Sequence, residues 1–235
     1  MGFVDLHSHV LFGLDDGSPD LPTSLAMVGG LAGLGFSDVC ATPHQKAGQF
    51  LPSAELIDRT YEALRAAGPK AQLHLGAENM WDDVFFERMQ RGAIPSYDGG
   101  PAFLMELRPT ILPPGLIDHV FRLRMAGRVP VLAHPERYQV LWDDEQLTEK
   151  LRRQCAFLID LPAIAGYHGK RESKAARQLL ERGLATAAAS DAHTPEDVRH
   201  AAEGIAWIEK KLGAAAVDRL LGDAPRALLG GDLPD

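Results

Sequence analysis

Seven short apolar runs alternate with seven amphipathic ones along the 235 residues, and this alternation constrains the fold more than any single motif. Residues 3–7, 38–42, 72–76, 102–106, 129–133, 156–161 and 185–189 read as strands. Several lack polar alternation, as expected of strands covered on both faces. The spacing predicts helices near 20–34, 53–67, 82–91, 114–126, 143–153, 170–182 and 195–211, with a shorter one near 214–221. Pro22 and Pro195 suit first helical turns, Ser53 suits a cap, and Gly127 and Gly183 suit C-terminal stops. Repeated strand–helix units imply parallel strands, in an open sheet or a barrel. No Gly-x-Gly-x-x-Gly or Walker-type loop follows a strand, which weighs against nucleotide-binding sheets. The expectation is α/β: a (β/α)7 barrel forming one domain over 1–235, with frayed last residues.

Composition narrows the function. Hydrophobic residues make up 46% and charged residues 24%, as in ordinary globular proteins. A net charge of −8 argues against a general binder of nucleic acid or anionic membrane. Bound divalent ions would offset part of that charge. Cys40 and Cys155 lie in apolar stretches and read as small buried thiols of a reducing compartment. Neither begins a Cys-x5-Arg loop, since position 46 is Lys and position 161 is Leu, so cysteine-phosphate chemistry is unsupported. No stretch of ~18 apolar residues and no basic-then-apolar leader is present. A cytoplasmic protein without membrane insertion is expected.

The polar residues gather at strand ends. His7 and His9 are two apart on the first run, so a strand would turn both imidazoles to one side. Neutral imidazole is a common ligand for borderline divalent metals. Asp5 has the same parity and is expected to orient one of the rings. Asp15 and Asp16 lie in the loop that follows. The second run leads to Thr42-Pro43-His44 and the third to Gly76-Ala77-Glu78. The fourth ends at Glu106, and the fifth is followed by His134-Pro135-Glu136-Arg137. The seventh leads to Ser190-Asp191-Ala192-His193. Barrel active sites are built at the C-terminal ends of the strands. Such His, Asp and Glu groups, with no sulfur among them, suit Mn²⁺, Fe or Zn²⁺ in a polynuclear hydrolytic centre.

Taken in order and spacing, His7-Ser8-His9, Ala41-Thr42-Pro43-His44, Gly76-Ala77-Glu78, Leu132-Ala133-His134-Pro135-Glu136-Arg137-Tyr138 and Ser190-Asp191-Ala192-His193 resemble the polymerase-and-histidinol-phosphatase (PHP) superfamily. Within it, Leu14-Asp15-Asp16-Gly17 and the His-Pro-Glu-Arg run are similar to the bacterial PHP tyrosine-protein phosphatases of the capsule and exopolysaccharide type (CpsB/YwqE). The likeness runs from Asp5 to about Arg199. It implies a distorted, TIM-like (β/α)7 barrel with three divalent metals, Mn²⁺ foremost and Fe or Zn²⁺ as alternatives. By analogy His7, His9, Glu78 and Asp191 hold the first metal. Glu78 bridges to the second, held also by Glu106 and His134. Asp16, His44 and His193 hold the third. Arg137 and Arg199 match arginines that contact the phosphate. The implied activity is hydrolysis of phosphotyrosine in proteins by a metal-activated hydroxide. The implied partner is a bacterial tyrosine autokinase that controls polysaccharide synthesis. Alternatives with the same site are a histidinol-phosphate phosphatase and a PHP-type nuclease, and a binding scaffold without turnover is a further class. The sequence departs from the family at Gln45, where a second His is common, and at Asp160-Leu161-Pro162, where small polar residues are expected.

Other residues carry plainer expectations. Glu136 is expected in a structural ion pair rather than among the ligands. Asp15 is expected to shape its turn. Trp81 and Phe12 are expected in the core, although both can stack on a phosphotyrosine ring. His168 is assigned to an ordinary loop near the sixth strand, with substrate contact as the alternative. His74, His119 and His200 lie outside the strand-end pattern and are expected to be surface or satisfied core residues. Lys150, Arg152 and Arg153 read as a solvated helix face.

Overall fold

The computed structural model describes residues 2–234. In chain order the elements are β1 (Phe3–Ser8), α1 (Leu21–Gly33), β2 (Phe36–Ala41), β3 (His44–Gln45), α2 (Ala54–Ala66), β4 (Gln72–Leu75), β5 (Glu78–Met80), α3 (Asp83–Gln90), β6 (Ala102–Glu106), α4 (Leu116–Met125), β7 (Val129–Ala133), α5 (Gln139–Asp143), α6 (Glu145–Arg152), β8 (Ala156–Asp160), α7 (Leu161–Ala165), α8 (Lys170–Glu181), β9 (Ala187–Ala189), α9 (Pro195–Leu212), α10 (Ala214–Val217) and α11 (Ala224–Leu229). A single π-helical turn, Asp218–Asp223, joins the last two helices.

All named strand pairs are parallel, in two ladders ordered β1-β2-β4 and β3-β5-β6-β7-β8-β9. Two of the seven expected strands are therefore broken. The chain of β2 passes through Thr42-Pro43 into β3, and that of β4 passes through Gly76-Ala77 into β5. Proline lacks the N–H that a ladder needs. The Gly76 N–H donates to Ala41 O (2.9 Å) and the Glu78 N–H to Pro43 O (3.1 Å), carrying the pairing across both breaks. The ring is not a continuous ladder. Beyond β9, the Asp191 N–H donates to His7 O and the His9 N–H to Ala192 O, each at 2.9 Å, which ties the last strand's end to β1.

Side-chain alternation explains the packing. Leu104, Val131, Ala133, Leu158, Ala187 and Ala189 share one buried cluster with Tyr97 and Cys40. Their strand neighbours Phe103, Met105, Leu132, Phe157, Ile159 and Ala188 face a larger cluster formed with the helices. Continuing the first parity by two residues reaches Glu106, Asp160 and Asp191. The apolar stack thus ends in carboxylates at one end of the ring. Tyr97 is fully buried, and its hydroxyl donates to Leu6 O (2.9 Å).

The helices follow their caps. Asp20, Ser53, Asp82, Asp144 and Thr194 each accept a backbone N–H of the helix that follows, and Thr194 with Asp197 forms a capping box. The helix expected near 143–153 is α6, capped by Asp144, and the short α5 ahead of it was not expected. The apolar run at 156–161 does not end at a loop; it passes directly into the buried α7. Cys40 and Cys155 are free and buried, and burial pushes the Cys155 thiol up to about 12. No helix among the described residues is long and apolar enough to cross a membrane.

Candidate metal centre

His7 is fixed from behind. The Ser8 N–H donates to Thr42 Oγ1 (3.1 Å), and the Thr42 hydroxyl reaches Ser8 O (3.3 Å). Nδ1 of His7 lies 2.7 Å from the same hydroxyl oxygen, so the consistent assignment makes Nδ1–H a donor. Its Nε2 then carries a lone pair, 2.9 Å from Asp191 Oδ1 and 3.4 Å from Glu78 Oε1.

His9 repeats the arrangement. Its Nδ1–H donates to Asp15 Oδ2 (2.9 Å), leaving Nε2 3.5 Å from both Glu78 Oε2 and Asp191 Oδ1. The Nδ1–H of His193 donates to Asp191 O (2.8 Å), and its Nε2 faces Asp16 Oδ1 at 3.6 Å. The rings of His9 and His193 stack with centroids 3.9 Å apart. His44 places Nδ1 2.7 Å from Glu78 Oε2 and Nε2 3.4 Å from Asp16 Oδ1. His134 Nε2 stands 2.9 Å from Glu78 Oε1.

These contacts fit a cation better than they fit one another. His7 Nε2, His9 Nε2, His44 Nδ1, Glu78 Oε2 and Glu106 Oε2 are buried with no hydrogen-bond partner. Buried polar atoms without partners are costly, and these five converge. Four overlapping groups have ligand atoms within 4.8 Å of one another. They are His7, His9 and Glu78; His7, His134 and Asp191; His44, Glu78 and Glu106; and His9, Asp16, His44 and His193. Together they include all nine residues expected as ligands. The partition differs from the one the resemblance implies: Glu106 groups with His44, and His134 with His7 and Asp191.

The electrostatics show the same tension. Burial opposes charge on His7, but Asp191 and Glu78 outweigh it and raise its pKa to about 10. Burial opposes the charges of Glu78 and Asp191 too, yet the surrounding imidazoles, with Arg137 at Asp191, hold both carboxyls well below the usual range. Burial and the Glu78 charge push Glu106 up to about 7, while burial and Arg137 bring His134 down to about 4. Four carboxylates packed around imidazoles, without a cation, compete for protons; a divalent ion satisfies the same demand.

The backbone is strained at two of these residues. His134 (φ 35°) and Asp191 (φ 45°) immediately follow or lie just beyond β7 and β9 and occupy the left-handed region. Non-glycine residues there cost energy and cluster at functional sites.

Arg137 comes from the 3₁₀ turn Pro135–Arg137. Its Nη2 donates to Asp191 Oδ2 (2.5 Å) and Asp160 Oδ2 (2.7 Å), and the side chain keeps 27% of its surface exposed at the mouth. Arg199 stands on α9 with its side chain 71% exposed and paired with Glu196 at 3.2 Å, and it makes no contact with the clustered side chains among the described residues. Asp5 also differs from expectation. Among the described residues it meets no imidazole ring; its carboxylate accepts the Ser190 N–H (2.9 Å) and hydroxyl (2.5 Å), fixing the strand end that carries Asp191.

The plainer expectations divide. Asp15 shapes its turn through the Gly17 N–H (3.0 Å), but it also holds His9 and accepts the His44 N–H (2.9 Å). Glu136 makes no ion pair among the described residues; it is fully buried and accepts the Asp160 N–H (3.1 Å). Trp81 packs on Phe85, while Phe12 is half-buried. His168 Nε2 meets Asp160 Oδ2 at 2.7 Å, beside Arg137. Sequence reasoning missed Thr42, Asp160 and Phe50, whose ring stacks on His44 with centroids 5.6 Å apart. Thr42 and Asp160 sit at strand ends and share the parity signal; Phe50 lies in a loop that gives none.

Residues 3–230 match the family model described as capsular polysaccharide synthesis, CpsB/CapC. The chain is 28% identical over 240 residues to the tyrosine-protein phosphatase CpsB of Streptococcus pneumoniae, covering 96% of this chain and 98% of that one. It is 27% identical over 218 residues to the tyrosine-protein phosphatase YwqE of Bacillus subtilis, covering 90% and 85%. A solved structure from work on those two proteins, described as unique metal-dependent tyrosine phosphatases, superposes with a TM-score of 0.86. It is 24% identical, with 99% of this chain and 96% of that chain covered, and it shows the shared fold.

Proposed function

We propose that this chain, which belongs to the CpsB/CapC family of capsular polysaccharide synthesis proteins, is a metal-dependent protein-tyrosine phosphatase. The observation that carries the reading is the convergence of nine His, Asp and Glu side chains with five buried, unpartnered ligand atoms among them. The names of the relatives CpsB and YwqE supply the substrate class.

His7, His9, Asp16, His44, Glu78, Glu106, His134, Asp191 and His193 would hold the ions, with Mn²⁺ the first candidate and Fe or Zn²⁺ also suited to this donor set. Bound divalent ions supply Lewis acidity, which lowers the pKa of water and neutralises charge on phosphoryl oxygens. The chain's own residues do the rest. Thr42, Asp15 and the Asp191 carbonyl take the Nδ1 protons of His7, His9 and His193 and so aim each Nε2 inward. Arg137 reaches from the mouth to Asp191, where its remaining N–H groups suit the equatorial oxygens of a phosphate. Burial of the carboxylates excludes water from all but the mouth, where Asp16 is half exposed. Phenolate, with a pKa of about 10, leaves with less acid assistance than an alkoxide needs. Arg199 has no part in this reading.

The physiological substrate we infer is a tyrosine autokinase of polysaccharide synthesis, which sets the place of action in the cytoplasm. The deciding experiment compares kcat/KM of the Mn²⁺-loaded protein on a phosphotyrosine peptide and on histidinol phosphate. Preference for the peptide is expected, and preference for histidinol phosphate would sink the tyrosine reading.

A further inference from the structure

The break in the third strand leaves a space on the flank of the barrel. β4 pairs with β2 alone, while β5 pairs with β3 and β6. Beside this junction lies a cavity of about 630 Å³, within the size range of small-molecule sites. Its walls are mainly apolar, from Ile57 and Tyr61 of α2 to Ile94.

Two guanidinium groups line it, Arg88 and Arg128, and neither has an ion pair among the described residues. Arg88 Nη2 donates to a neutral amide, Gln45 Oε1, at 2.7 Å. Arg128 Nη2 reaches Ile94 O at 3.3 Å, and its Nε is buried without a partner. Burial weakens the hold of both groups on their protons: it is the first cause at Arg88, opposed only by the charge of Asp82, and the sole cause at Arg128. Arg128 also lies over the Phe103 ring, 5.7 Å from its centroid. A guanidinium keeps its proton in proteins, so a half-buried one without an anion bears a desolvation cost that neutral partners offset only in part. The two acids on the wall do not relieve it. Asp98 is engaged by His74 Nδ1 (2.6 Å) and the Leu75 N–H (2.9 Å), and Asp58 is exposed on α2.

We propose that this cavity binds a small amphipathic anion: an apolar body carrying one carboxylate, sulfonate or phosphate group that pairs with Arg88 and Arg128. The apolar wall takes the body and the two arginines take the headgroup. Arg88 holds Gln45, and Gln45 Nε2 donates to His44 O at 3.0 Å, so the site adjoins a residue of the candidate metal centre. The binding itself is independent of the phosphatase reading.

The test is a fluorescence titration of the metal-loaded protein with anilinonaphthalene sulfonate, an apolar body with one anionic group. Saturable binding is expected. The double variant Arg88→Met with Arg128→Met should weaken it about tenfold or more, the scale of losing charge-assisted hydrogen bonds. Ala93→Trp should also weaken it, since Ala93 is exposed on the cavity wall and a large ring there fills the space with both arginines retained. Absence of saturable binding, or equal affinity in the double variant, would overturn the proposal.

Discussion

His9 and Asp15 are joined at 2.9 Å, imidazole Nδ1 to carboxylate Oδ2, across a six-residue turn. The same carboxylate accepts the backbone N–H groups of Gly17 and His44, so one side chain fixes a ring and two loops. Burial disfavours its charge, but His9 and these N–H groups draw its pKa down to about 2. Replacing Asp15 by Ala should therefore reduce metal affinity or turnover about 10- to 100-fold, the usual scale for a group that orients a ligand. Metal titration followed by phosphotyrosine-peptide kinetics checks this.

Arg137→Lys should lower kcat/KM on the phosphotyrosine peptide about 100-fold while metal content holds. Lysine keeps the charge, and its one nitrogen can replace Nη2 between Asp160 and Asp191, but it loses the further N–H groups that the guanidinium leaves for phosphate. Parallel loss of metal and activity would instead mean that Arg137 serves only to place Asp191.

Gly17→Ala should impair activity more than folding. A Cβ there would lie 2.4 Å from both the Cβ and the carbonyl oxygen of His9, so the loop bearing Asp16 must move away from β1. The expected result is a marked fall in turnover with a small change in melting temperature, measured on the same preparation.

Gly204→Ala should do the reverse. Its Cβ would stand 2.3 Å from Leu161 O, where α9 crosses α7. Overpacking of this kind costs about 1–3 kcal/mol, which lowers the melting temperature of a domain this size by several degrees. A thermal melt reads it directly.

His74 lies between Asp38 (3.0 Å) and Asp98 (2.6 Å), away from the metal centre. Burial lowers its pKa, but the two carboxylates override that and raise it above 6.5. A raised histidine contributes stability that is fully present below the unfolded value and lost as pH rises through the folded one. His74→Gln should therefore melt several degrees below the parent at pH about 6, with the gap narrowing towards pH about 9. A gap that widens with pH would contradict the assignment.

Strand-end position singled out most of the nine candidate ligands, the resemblance implied the full set, and strand parity accounts for part of it. His7 and His9 share a face, and Glu106 and Asp191 each stand two residues beyond an inward apolar side chain. Arg199 was the least legible of the expected residues, because a helix position six residues past His193 says nothing about which way the helix turns it. Asp5 was matched to the wrong partner because only the fold brings Ser190 beside it. The short buried α7 was hidden in a continuous apolar run, where period two and period 3.6 cannot be told apart. The broken strands were partly signalled by Pro43 and Gly76, yet hydrogen bonds that skip a residue have no sequence pattern.

Metal removal and restoration tests the central claim most directly. The protein is stripped with a chelator, Mn²⁺ is returned stepwise, and phosphotyrosine-peptide hydrolysis is followed against bound metal measured by atomic absorption. Loss of turnover on stripping and its recovery in step with metal binding are predicted. Hydrolysis at full rate in the metal-free protein would contradict the account.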